Sequence, residues 1–168
     1  AKGRLDFIKT VLASKTGRES LTEMVMGNNC LFSAISEEDF PVVECLIDAG
    51  GTELLLLRGY DGESVASYAL LRGKFEIFKL LAARGGRQVL SLIDDAGFTA
   101  YQQALGILDP SSELLPMLAT FMEVSIEQME EERMQILRQD QELLGMFKEA
   151  GWLLWKGSMG KVAALASH

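Results

Sequence analysis

Gly73-Lys74-Phe75-Glu76-Ile77-Phe78-Lys79-Leu80-Leu81 decides how this chain folds, because the chain contains it three times in related form. Moved back by 35 positions, Phe75 to Leu81 falls on Phe40-Pro41-Val42-Val43-Glu44-Cys45-Leu46, with apolar residues at matching places. Moved back by 70, Gly73 to Lys79 falls on Gly3-Arg4-Leu5-Asp6-Phe7-Ile8-Lys9. Gly27, Gly62 and Gly97 keep the 35-residue spacing, as do Ala34, Ala69 and Ala104, and Gly50-Gly51 falls on Gly85-Gly86. A fixed period of this length marks a stack of small units, none of which can bury its apolar face alone. The chain therefore opens on the second half of a unit. It passes through two complete units and enters a third whose second half diverges.

Each unit reads as turn, short helix, short helix, glycine stop. Gly62 suits a turn that needs φ > 0. Ser64, and Thr99 one period later, offer N-cap hydroxyls. Gly73 suits a helix C-terminus, and Pro41 sits where a helix's first turn tolerates it. Phe75, Phe78 and Leu81, with Ile77 and Leu80 beside them, make a broad apolar face. The pattern predicts helix pairs over 30–37 with 40–48, 65–72 with 75–83, and 100–107 with 112–121. Residues 3–13 should form an outer helix packed on 40–46, with Leu5, Ile8 and Leu12 buried. The stretches after Gly51 and Gly86 read as loops.

These units resemble ankyrin repeats. Asp61-Gly62-Glu63-Ser64-Val65-Ala66-Ser67-Tyr68-Ala69 is similar to the family's turn and Thr-Pro-Leu-His-x-Ala start, with Ser, Val and Ser for Thr, Pro and His. Leu71 to Leu81 is similar to its Gly-x-Leu-x-Val-Val-x-Leu-Leu second helix, and 29–34 and 99–104 are weaker versions of the first. The likeness covers residues 3–121. The 35-residue period exceeds the usual 33, and the Leu-rich loops after double glycines resemble variants from algae and other protists. The family's turn-tying His is replaced by Phe32, Ser67 and Gln102, which implies units less rigid than the consensus. The resemblance implies an all-α ankyrin-type helix-pair solenoid over residues 1–122.

Beyond Glu123 the period is lost. Ser125-Ile126-Glu127-Gln128 reads as a capping box. Met129, Ile136 and Leu143, seven apart, predict one face of a long amphipathic helix over 123–150. That face either covers the open end of the repeats or seeks a second chain in a coiled coil, a seam that Arg133 and Asp140 would interrupt. The tail, 151–168, carries Trp152-Leu153-Leu154-Trp155. It either folds back on the helix, anchors in a partner protein, where Trp is favoured, or touches a membrane interface through 152–161.

Net charge is −8, which disfavours nucleic-acid binding, since that affinity comes from Lys and Arg on phosphates. The two cysteines, Cys30 and Cys45, read as reduced thiols acting as small core residues. A lone His168 rules out a Ser-His-Asp triad. The expectation is therefore no enzyme, no cofactor and no metal. It is an intracellular protein, of the cytoplasm or an organelle interior such as the plastid.

Ankyrin repeats usually bind proteins through turn tips and the concave face of their first helices. Carried over by register, that surface takes in Met26, Asn28 and Glu37, then Tyr60, Asp61, Glu63, Leu71 and Arg72, then Asp95, Phe98 and Ile107. Leu71 and Ile107 could equally pack between units. With Trp152 and Trp155 these are the candidate partner-binding residues. Two functions follow. One is a non-catalytic protein–protein interaction module. The other is a structural or linker subunit of a larger, membrane-associated assembly, held by its N-terminal helix and Trp-rich tail.

Overall fold

The computed structural model describes residues 2–23, 29–59 and 62–142, all-α in architecture, with no strand among them. In chain order come α1 (Lys2–Ala13), α2 (Lys15–Glu19) and a single 3₁₀ turn, Ser20–Thr22. Then follow α3 (Cys30–Ser36), α4 (Phe40–Leu55), α5 (Val65–Leu71), α6 (Phe75–Leu90), α7 (Ala100–Ile107) and α8 (Leu114–Met122). A last helix, α9, runs over 126–142.

The starts of α3, α5 and α7 fall 35 residues apart because their caps do. Asn29 Oδ1 accepts from the N–H groups of Leu31 and Phe32. Ser64 Oγ accepts from Ser67 N, and Thr99 closes a capping box with Gln102. Each such bond satisfies donors that a helix start leaves unpaired, worth about 1 kcal/mol. Ser125 and Gln128 exchange the same reciprocal bonds ahead of α9, as the sequence predicts.

Short helices pack on short ones, α3 with α5 and α5 with α7. Long ones pack on long ones, α1 with α4, α4 with α6 and α6 with α8. The core runs continuously between them through Phe32, Ile35, Val43, Leu70, Phe78, Leu81, Leu105 and Leu118, all buried. Lys74 to Glu38 (2.7 Å), Arg84 to Asp48, and Arg4 to Glu37 bridge neighbouring pairs. All are partly exposed, so each is worth at most about 1 kcal/mol and matters more for register than for stability.

The structure corrects three expectations. The glycine pairs do not end α4 and α6. They kink them: Gly51 (φ 57°, ψ −151°) and Gly86 (φ 52°, ψ −145°) break the helical path, and a further helical turn follows. That turn drives Leu54, Leu55, Val89 and Leu90 into the core, so the expected Leu-rich loops begin later. Leu5, Ile8 and Leu12 pack against the core but are only half-buried. Cys30 is exposed and Cys45 half-buried rather than core. At two of the three places of the missing turn His a polar bond is kept: Ser67 accepts from Ser64 Oγ (3.2 Å), and Gln102 Oε1 accepts from Thr99 N (3.0 Å), while Phe32 at the third offers none.

α9 lays buried Met129 and half-buried Ile136 toward α7 and α8. Ile136 Cγ2 lies in van der Waals range of where a Cβ on Gly106 would stand, 3.7 Å away. Arg133, which looks in the sequence like a break in an apolar seam, donates to the carbonyl of Leu108 at the end of α7. It thereby satisfies an acceptor that a helix C-terminus leaves free. Leu143 and the tail, Trp152 and Trp155 included, lie outside the described residues.

Candidate protein-interaction surface

Two tight turns introduce α5 and α7, and they are built alike. Gly59 N donates to Glu63 O (2.8 Å), and Asp94 N to Phe98 O (2.8 Å). Isolated bridges join Arg58 with Ser64 and Ile93 with Thr99. Gly62 (φ 67°) and Gly97 (φ 88°) take left-handed backbone that side-chain-bearing residues avoid. Gly62 has a second reason to lack a Cβ, because the Asp95 carboxylate of the next turn would stand 2.1 Å from it. Neighbouring turn tips therefore touch.

The second turn is fixed from inside. Asp94 Oδ1 accepts from Ala96 N (3.0 Å) and Phe98 N (2.8 Å), and its Oδ2 accepts from Gln103 Nε2 (2.7 Å). Asp94 is thus spent on its own loop, while Asp95 is exposed. Phe98 stays 53% exposed although its backbone is held at both ends.

An aromatic and charged chain crosses from α3 to α5. The rings of Phe32 and Tyr68 meet edge to face, centroids 4.9 Å apart. The Tyr68 hydroxyl bonds the Ser36 hydroxyl. The Arg72 guanidinium lies over the Tyr68 ring, 3.4 Å from its centroid, and reaches Glu63 at 3.7 Å. Glu63 is accordingly half-buried at the turn base rather than free at the tip. Glu37 is exposed and paired with Arg4 of α1. The sequence pointed to Arg72 and Glu63 but missed Tyr68, whose place as the one aromatic residue of the short helix Val65–Leu71 is the signal.

Leu71 (51% exposed) and Ile107 (49%) end α5 and α7 without being covered between units. Met26, Asn28, Tyr60 and Asp61 lie outside the described residues. Buried Tyr101 of α7 has its phenol pushed up by burial first and by the Glu132 carboxylate of α9 second, so it stays neutral across ordinary pH. Among the described residues no group of His, Cys, Asp and Glu is arranged to hold a metal ion, and no helix is long and apolar enough to cross a membrane. Comparison with protein-family models, curated proteins and solved structures gives no match for this chain.

Proposed function

We propose that this chain is a non-catalytic, intracellular protein-interaction module, an ankyrin-type helix-pair solenoid that binds a partner protein through its turn tips and short helices. The observation that carries the reading is the exposure of Leu71, Phe98 and Ile107 at about half of their surface. These large apolar side chains sit on turns and helix ends whose backbone is held by internal bonds. Arg72, Glu63 and Asp95 beside them supply polar groups, the make-up of an interface centre with a polar rim. The turn over 94–98 is held by its own bonds, so docking at Phe98 would cost little ordering entropy.

The test is site-specific photo-crosslinking in extract of the source cell, from Phe98 and Ile107, with Phe75 as reference. Phe75 is similarly exposed, 42%, but lies on a long helix. The expected result is one protein joined from Phe98 and Ile107 and not from Phe75, with the crosslink from Phe98 lost on Ile107→Asp and that from Ile107 lost on Phe98→Asp. Equal labelling from Phe75 would defeat the reading. The linker-subunit alternative draws on a different observation, the uncovered Phe7 and Val11 of α1. It predicts crosslinks from α1 instead.

A further inference from the structure

The long helices α1, α4 and α6 share one register, and one of them is bare where the other two are covered. Phe7, Ile8, Val11 and Leu12 occupy in α1 the places that Ile77, Phe78, Leu81 and Ala82 occupy in α6, 70 residues later. Those four, and Val42, Val43, Leu46 and Ile47 at the same places in α4, are at most 4% exposed. Phe7 is 68% exposed and Val11 40%. The residue types match, so the difference lies in what covers them. α6 packs under α5 and α4 under α3, the short helix that precedes each, whereas α1 packs on α4 and on the following α2 and on no preceding short helix among the described residues.

α3 repeats the message. Cys30 is exposed, whereas Val65 and Ala100, one and two periods later, are fully buried. Between α1 and α3 lies an apolar groove of about 360 Å³, lined by Phe7, Val11, Leu12, Leu21, Cys30 and Leu46.

We propose that this groove is the acceptor for one further short helix of the α5 type, from a polypeptide that completes the unit to which α1 belongs. The α5 example sets its chemistry. It has about two turns, with small or branched apolar residues at the places of Ala66, Ala69 and Leu70. The inference rests on register and burial, not on the partner reading of Phe98 and Ile107, and its test touches neither residue.

The experiment places a second copy of residues 58–72 directly before Gly3 of the full chain. Cys45→Ser leaves Cys30 as the only thiol. The expected result is at least about tenfold slower alkylation of Cys30 and a melting temperature higher by about 5 °C or more. Phe7→Asp should barely move the melting of the unextended protein yet cancel the gain in the extended one. An extension carrying Asp at the three apolar places should give neither effect. Unchanged labelling and melting with the in-register extension would overturn the proposal, as would equal gains from the Asp-bearing one. A groove already filled would overturn it too. If a second copy fills it, the unextended chain associates between about 5 and 200 µM and the extension dissociates it. If the chain's own tail fills it, deleting 151–168 speeds Cys30 labelling.

Discussion

Glu38 adopts the backbone of a glycine. Its φ is 57°, and Gly73, 35 residues later, has φ 68°. Both positions close a helix in the same way. Glu38 N reaches Ile35 O (3.1 Å) and Asp39 N reaches Ala34 O (3.2 Å), while Gly73 N reaches Leu70 O and Lys74 N reaches Ala69 O, each at 2.9 Å. A residue with a Cβ in that conformation costs about 1 kcal/mol that glycine does not. Against this stands the bond from Lys74 Nζ to Glu38 (2.7 Å), a pair open enough to water to contribute between about 0 and 1 kcal/mol. Glu38→Gly should therefore leave urea-unfolding stability unchanged or raise it by up to about 1 kcal/mol, and Gly73→Ala should lower it by about 1 kcal/mol. A loss above about 0.5 kcal/mol for Glu38→Gly would mean that the ion pair outweighs the strain. The strain is legible in the sequence, since the 35-residue shift sets Glu38 on Gly73. The lysine partner is not legible, because that contact depends on how two pairs dock.

At the scale of elements, the two glycines of each pair have different jobs. The second of each pair sits at φ near +55° with ψ near −150°, a region that only glycine occupies without strain. The first must lack a Cβ because the chain returns against it. A Cβ on Gly50 would stand 2.7 Å from Leu54 Cβ, and one on Gly85 would stand 2.0 Å from Val89 Cγ2. Gly86→Ala should cost about 2 kcal/mol whatever its neighbours are. Gly85→Ala should cost a similar amount but be partly relieved by Val89→Ala, with a coupling of at least about 0.5 kcal/mol in a double-mutant cycle. Additive losses would show that Val89 is not what the Cβ meets. The helix pairs themselves were readable, and α7 begins and ends where the pattern put it, because caps and apolar spacing are local. The turn after each kink was not readable. Leu54-Leu55 and Val89-Leu90 look like loop residues until one knows that a positive φ at the preceding glycine aims them into the core. At the candidate surface, Leu71, Phe98 and Ile107 were found by register alone. The Phe32–Tyr68–Arg72 contacts were not, because they join residues that meet only after α3 and α5 pack.

At the scale of the molecule, contacts are made almost wholly between neighbours, so stability should be graded along the chain. α5 and α6 are flanked on both sides, α5 by α3 and α7, α6 by α4 and α8. Every residue from Val65 to Leu70 is buried. α1 packs on α4 and on the short α2 that follows it, and leaves Phe7 and Val11 exposed. α9 is likewise open on one side, with Ile126 and Met134 uncovered. On the proposed solenoid reading each unit's stability is its own plus that of its interfaces, so end units open at lower free energy than central ones. Native-state hydrogen exchange should therefore be slowest at the amides of Phe78 to Ala82 and of Tyr68 to Leu70. It should quicken stepwise through α4 to α1 and through α7 to α9. Arg133→Ala, which frees the Leu108 carbonyl, should quicken exchange in α9 and the end of α7 while leaving α5 and α6 unaffected. Uniform protection across all helices would instead mean that the chain unfolds as one cooperative block. Ends that exchange as slowly as α6 would mean that α1 is covered in solution, and so would bear directly on the open groove beside it.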